Sequence, residues 1–390
     1  MSSAETESSA MAGTPRELGY RMPAEWERHE ATWLAWPHNP EDWPGKFQPI
    51  AWVYAEIVRH LTRVEDVHIL VNDSAAEKRA RGILRRNGVH LARVQFHPWR
   101  TDRVWTRDSG PIFVTKRNGH GSGTEKGTVA VTNWKFNAWA KYSNWHHDDK
   151  IPGLAAGLLH LPQWMPAIET PSGPQRVVLE GGSIDVNGQG TLITTEECLL
   201  SEVQQRNPGV TREQLEQIFH DYLGIDQVLW LNRGIAGDDT HGHVDDITRF
   251  VGPNTIVTAI EPNSDDENHL PLQENLDRLK AARNLDGKPF DIVELPMCPP
   301  VVFDGQRLPA SYANFYIAND LVLVPTLNSS ADRKALNILA DVFPTREVVG
   351  IYCGDLIWGL GALHCMTQQQ PGPPAGFPAG LELPKSAAER

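Results

Sequence analysis

Five side chains stand out by type and by place: Asp108 in WTRDSGP, Glu180 in VLEGGS, His243 and Asp245 in DDTHGHVDD, and Cys365 in GALHC. Each sits at the beginning of a segment that reads as a hairpin or a closing strand, and the first three positions recur at intervals of roughly 65 residues. A cysteine with a histidine in reach is a nucleophile with an acid–base partner. Carboxylates around it would raise the thiol pKa and discourage the thiolate. A cationic substrate removes that conflict. Asp108 and Asp245 can each clamp a planar guanidinium through paired N–H···O bonds, and the bound charge then favours the thiolate. If the five converge, the constellation points to a guanidine or amidine as the group attacked.

Each residue also has a plain structural reading. Asp108 before Ser-Gly-Pro suits a turn, and Glu180 before Gly-Gly suits a hairpin edge. A lone cysteine near the end of a chain is commonly inert packing. The DDTHGHVDD stretch offers a different chemistry, because His241, His243, Asp245 and Asp246 resemble metal ligands. His-x-His on a strand puts both rings on one face, and imidazole with carboxylate can hold zinc or iron, the basis of a metal-dependent hydrolase. No third histidine follows at a familiar ligand spacing, which disfavours a metal, and no Gly-rich phosphate loop of Walker or dinucleotide type is present. The HHDD run at residues 146–149 reads as a cap for a helix starting near Ile151.

These side chains need a scaffold that brings distant segments together. The clearest unit begins at GGSIDVNGQGTLITTEE, where Ile184 and Val186 alternate before an Asn-Gly turn and Leu192 and Ile193 follow. Next comes TREQLEQIFHDYL, with a capping box from Thr211 and Gln214 and an apolar face of Leu215, Ile218, Phe219 and Leu223. The strand QVLWL closes the unit. Similar units run from DDITRFVGPNTIVTAIE to FDIVEL and from YANFYIANDLVLVPTL to EVVGIY. An earlier one pairs DSGPIFVTKRNG with GTVAVTNWKF across a polar, Gly-rich tip. The first unit, ATWLAWP to VHILVN, looks one strand short, and WGLGALHC is the candidate to supply it and close a ring. Such repetition marks a radial array, in which equivalent positions meet on the axis; an ordinary α+β alternation is the competing reading.

Composition excludes several classes. The 390-residue chain is 40% hydrophobic and 22% charged, as expected of a globular protein. A formal net charge of −13 argues against nucleic acid as a partner, and no apolar run reaches the length of a membrane span. Four cysteines without a C-x-x-C pair suggest a reduced, cytoplasmic setting. Residues 1–19 and 372–390 read as flexible tails around one catalytic domain at 20–371. A homodimer is compatible with the sequence but not specified by it. Of 13 tryptophans, Trp105 and Trp139 are candidates to stack on a bound cation, although most such residues serve the core.

The motifs MPAEWERHEATWLAWP, WTRDSGP, NWKFNAWAKY, LEGGSIDVNGQGTLITTEECLL, GHVDD, PASYANFY and HCMTQQQP occur in order over residues 20–371, and in them the chain resembles the agmatine deiminase family. That family is related to the bacterial-type peptidyl-arginine deiminases within the guanidino-modifying superfamily. The resemblance implies a five-bladed α/β propeller and no cofactor. It also implies that Cys365 attacks the guanidinium carbon, that His243 acts as acid and then base, and that Glu180 holds His243. Asp108 and Asp245 would grip the guanidinium nitrogens of agmatine, a small cation, giving N-carbamoylputrescine and ammonia. Peptidyl-arginine or another alkylguanidine is the alternative substrate. The chain departs from the usual family pattern where GGGNIHC becomes GLGALHC, placing Leu360 and Ala362 at a Gly and the Asn. Likewise AWGG becomes AWAK at Ala140 and Lys141, and His241 stands where Asn is usual.

Overall fold

A computed structural model describes residues 13–116, 128–170 and 173–372. The outer parts of both expected tails, and the Gly-rich tip between residues 116 and 128, lie outside the described residues. Residues 13–19 are described and packed: the Gly13 carbonyl accepts from Trp164 Nε1, and Arg16 pairs with Asp226.

The architecture is α/β, and its larger sheets share one plan: an antiparallel pair extended by a parallel strand. In the clearest, Asp185–Val186 runs antiparallel to Thr191–Thr195, which pairs in parallel with Gln227–Leu231. Thr248–Phe250, Thr255–Ile260 and Asp291–Pro296 repeat the plan. So do Tyr316–Ala318, Leu321–Thr326 and Glu347–Tyr352. Two four-stranded sheets carry an extra strand at one edge. One contains Tyr20–Arg21, Ile112–Lys116, Val129–Thr132 and Gln163–Trp164; the other contains Gln368–Pro371, His29–Ala35, Asp66–Leu70 and Val94–His97.

Local sequence explains the connections. Asn187 Oδ1 accepts from the backbone of Gln189 and Thr191, folding the chain back on itself, and Gly188 takes φ 67° with Ala24 N only 2.8 Å from where a Cβ would sit. No other residue fits there without strain. The capping box of Thr211 and Gln214 starts the helix Arg212–Leu223, whose four apolar residues are all buried. Four of the parallel crossovers are helices packed on a strand of the adjoining sheet. Arg212–Leu223 touches Tyr20–Arg21, and His269–Ala281 touches Gln227–Leu231. Asp332–Val342 touches Asp291–Pro296, and Phe47–Leu61 touches Glu347–Tyr352. These helix–strand layers bury the larger apolar clusters, so the core lies between sheets and leaves the hairpin starts to face one another.

Two sequence expectations are corrected. The strand completing the first sheet is Gln368–Pro371 rather than WGLGALHC, and its glutamines are buried. Each amide has a partner: Gln370 Oε1 accepts from Trp33 Nε1, Gln369 Oε1 from Arg107 Nη1, and Gln368 Nε2 donates to the Pro111 carbonyl. The preceding segment instead forms a short 3-10 turn, Leu356–Gly359, and the bend that carries Cys365. Nor do Asp148 and Asp149 cap the helix Ile151–Leu159, which has no side-chain cap. Asp148 accepts from the backbone of Asp102 and Arg103, and Asp149 from Phe136 N at 2.8 Å. They tie down the two loops that present Trp105 and Trp139.

Candidate active site

Short helical turns standing immediately before the hairpins carry the predicted residues: Thr106–Ser109 holds Asp108, and Val244–Asp246 holds Asp245. Glu180 and His243 each sit at the N-terminal edge of such a turn. The turns touch one another, and the five side chains that the sequence singled out converge. Cys365 Sγ lies 3.8 Å from Asp245 Oδ2. Around the buried His243 ring, Nδ1 is 3.8 Å from Asp108 Oδ1 and 3.9 Å from Asp245 Oδ1, while Nε2 is 3.7 Å from Glu180 Oε2. These are ionic rather than hydrogen-bond distances. Among the described residues neither His243 nitrogen has a hydrogen-bond partner, and neither does Asp245 Oδ1. Gly182 sits at the centre, where a Cβ would come within 2.6 Å of His243 Nδ1 and 2.8 Å of Asp108 Oδ1.

The electrostatics follow from burying one imidazole among three acids. Burial opposes a charge on His243, but Asp108, with Cys198 and Glu180, raises its pKa well above the ordinary value. Burial, reinforced by Asp245 and Glu180, lifts Asp108 to about 6 despite the opposing pull of His243 and Trp139. Glu180 behaves oppositely: its burial is outweighed by the Arg206 guanidinium, 3.1 Å away, and its pKa falls. Asp245 is also lowered against burial, chiefly by the hydrogen bond and charge of His364. The Cys365 thiol is pushed well up by burial, then by Asp245, Asp246 and Asp108. The protein alone therefore holds an acid imidazole and a protonated thiol, an arrangement completed by added positive charge.

A cavity of about 230 Å³ leads to this cluster, with Asp108 and Cys365 in its wall. Trp105 and Trp139 also line it. Trp139 Nε1 donates to Asp108 Oδ2 at 3.0 Å, leaving the aspartate's other oxygen to accept from Gly182 N. Trp105 packs beside Gly361, next to Cys365. Further out lie the Arg103–Asp42 ion pair, Tyr142 and Asp239.

The suggested His241–His243–Asp245–Asp246 metal set does not assemble. Residues 241 and 242 take left-handed φ angles of 65° and 94° in a turn rather than a strand. The His241 ring faces Ser201 and Glu197, away from His243. The groups nearest to metal-ligand spacing are Glu180, Cys198 and His243, and separately Asp245, Asp246 and Cys365. Arg206 already occupies Glu180, and Asn314 and His364 occupy Asp246 and Asp245.

Three of the five positions where the chain departs from the usual pattern share one backbone property. Ala140, His241 and Leu360 have φ angles of 53°, 65° and 66°. Gly and Asn occupy this left-handed region readily, whereas other side chains clash with the following carbonyl. Leu360 additionally lines the cavity, while Ala362 is buried beside it. Sequence reasoning missed Glu25, Arg206, Asn314 and His364. Only His364 carried a local signal, its adjacency to Cys365; the others reach the site across long sequence separations.

Similarity to known proteins agrees with this geometry. The profile of the Porphyromonas-type peptidyl-arginine deiminase family matches residues 21–371. The agmatine deiminase of Stutzerimonas stutzeri (strain A1501) is 34% identical over 386 residues, covering 93% of this chain and 98% of that protein. Agmatine deiminase of Enterococcus faecalis superposes with a TM-score of 0.82 at 30% identity, over 93% of this chain and 99% of that one. A cysteine-to-serine variant of C. jejuni agmatine deiminase with substrate bound gives 0.77 at 27% identity, over 91% and 97%. The α/β fold described above is the fold of these structures, and the chain belongs to the Porphyromonas-type peptidyl-arginine deiminase family.

Proposed function

We propose that this protein hydrolyses a small cationic guanidine, agmatine, to N-carbamoylputrescine and ammonia. The observation that carries the reading is the buried cluster of Asp108, Glu180, Asp245 and His243 beside the Cys365 thiol at the end of a cavity. Asp108 and Asp245 clamp the guanidinium, whose charge offsets the carboxylates that hold the thiol protonated. The thiol proton is lost to solvent as the cation binds, and the Cys365 thiolate forms a C–S bond to the guanidinium carbon. The C–N bond breaks as the His243 imidazolium gives its proton to the departing ammonia, leaving a thiouronium on sulfur. Neutral His243 takes a proton from water as its oxygen bonds to that carbon, and the C–S bond breaks to release the ureido product. Glu180, fixed by Arg206, keeps His243 charged and oriented. Neither metal nor organic cofactor enters this scheme.

The cavity of about 230 Å³ is of a size for one alkylguanidine such as agmatine. Near the mouth Asp42 and Asp239 are paired with Arg103 and Lys141, which leaves Glu41 as the lining acid that suits a second positive end. The same reading makes residues 20–371 one catalytic unit in which the five sheets form the blades of a closed propeller. The four helix–strand contacts between adjoining sheets, with the contact of Gln368–Pro371 against Ile112–Lys116 as a fifth link, support that closure. All four cysteines are free, in keeping with a reducing, cytoplasmic setting; among the described residues no helix is long and apolar enough to cross a membrane. Ammonia release measured from agmatine, free arginine and a blocked arginine peptide tests the substrate. Turnover of agmatine alone is expected, and activity confined to the peptide would overturn the assignment.

A further inference from the structure

Four of the five sheets bring an ionisable residue to the cluster, and the fifth, beginning at Tyr316–Ala318, brings an amide. Asn314 stands two residues ahead of that strand, fully buried. Its Nδ2 donates to Cys365 Sγ at 3.0 Å and to Asp246 Oδ1 at 2.9 Å. Its Oδ1 accepts from His364 N at 2.9 Å and from Cys365 N at 3.4 Å. The amide orientation is fixed by these contacts. Turning it over would point N–H at N–H and set its oxygen against both sulfur and a carboxylate oxygen.

We propose that Asn314 is a catalytic residue of the reaction: its Nδ2–H holds the Cys365 sulfur in place and stabilises it as thiolate, before attack and again as the sulfur leaves. This rests on Cys365 being the nucleophile of the proposed deimination. Burial, and then the carboxyl groups of Asp245, Asp246 and Asp108, raise the thiol pKa, so a fixed donor on the sulfur acts where negative charge is otherwise disfavoured. Asp246 takes the amide's second hydrogen and so directs the first toward sulfur. The two backbone N–H groups on Oδ1 couple this donor to the bend that carries the nucleophile. Asn314 thus acts on the sulfur through a hydrogen bond alone, and no covalent bond to it is made or broken.

The test separates thiol chemistry from turnover. Iodoacetamide alkylation of Cys365, followed on its peptide by mass spectrometry across pH, reads the thiolate without any guanidine present. Asn314→Asp keeps the oxygen acceptor but replaces the donor, and Asn314→Ser is a second, smaller change. Each should move the alkylation midpoint to higher pH and slow alkylation at pH 8 roughly tenfold or more, with kcat for agmatine falling and KM changing little. Folded variants with an unchanged midpoint would overturn the role. Should both fail to fold, nitrogen-15 NMR of the wild-type enzyme decides: methylthiolation of Cys365 must shift the Asn314 side-chain amide signals, and unmoved signals would refute the contact. If Cys365→Ala retained turnover while the Asn314 variants still shifted the midpoint, the nucleophile assignment would fail and the effect on the thiol would stand.

Discussion

His364 Nδ1 lies 2.6 Å from Asp245 Oδ2, and its Nε2 lies 2.7 Å from Glu25 Oε2. The residue preceding the nucleophile therefore braces one of the carboxylates that face it. Glu25 is itself held by Arg249 at 2.8 Å, and Arg249 pairs with Asp185 at 2.6 Å. This buried network joins four separate stretches of chain at the site.

Breaking the brace should cost stability as well as binding. Removing one member of a buried ionic set leaves its partners uncompensated, at about 3–5 kcal/mol. His364→Ala is expected to lose that much in urea unfolding, and the fraction that stays folded should show a raised KM for agmatine. A loss under about 1 kcal/mol with unchanged KM would mean that the brace is energetically idle.

Gly182→Ala tests how closely the site is packed. The added methyl would meet His243 Nδ1, Asp108 Oδ1 and Asp245 Oδ2 within 2.6–3.1 Å. Displacing reacting groups by about 1 Å can cost roughly 100-fold. Such a loss of kcat/KM, with the unfolding midpoint near that of wild type, is the expected outcome. Near-normal kinetics would show that the three groups need not converge.

Substrate binding should depend on pH through Asp108. Its pKa of about 6 in the free protein is above the ordinary carboxylate value, and only the ionised form grips a cation. As pH falls below about 6 the carboxylate protonates, so affinity weakens by up to tenfold per unit. Bound cation pulls the pKa down, so binding near pH 6 releases a proton. Calorimetry of agmatine binding to Cys365→Ala, in buffers of different ionisation enthalpy, measures both effects. A constant Kd between pH 5 and 7 without proton release would remove Asp108 from the grip.

Left-handed backbone at Ala140 and Leu360 carries its own prediction. Each costs on the order of 1–2 kcal/mol relative to a residue at ease there. Ala140→Gly and Leu360→Gly should each recover part of this, raising the denaturant midpoint. Leu360→Gly should also enlarge the cavity and admit guanidines with bulkier tails. Glycine variants of lowered stability would show that packing outweighs the backbone term.

Much of this was legible because its signals are local. Alternating strands, the Asn187-Gly188 turn and the Thr211–Gln214 capping box are set by near neighbours, and each appears where the sequence put it. Asp108, Glu180, His243 and Asp245 were singled out because hairpin starts repeat, and Cys365 by its place after them; the five converge. The closing strand was misread because Gln368–Pro371 is polar, yet buried by partners such as Trp33 and Arg107 that no periodicity reveals. Asp148 and Asp149 were misread because their backbone partners lie in other loops. Asn314 stayed hidden because an amide has no unusual type, and only contact with Cys365 gives it meaning.

The central claim is that Cys365 forms a covalent bond to the guanidinium carbon while His243 handles the protons. Rapid acid quench of the enzyme during agmatine turnover, with mass spectrometry of the Cys365 peptide, observes this directly. The account predicts an amidino adduct on Cys365 that appears and decays with ammonia release, and is absent, together with turnover, in Cys365→Ala. Full turnover by Cys365→Ala, abolished by a chelator, would contradict it and return the reaction to a metal.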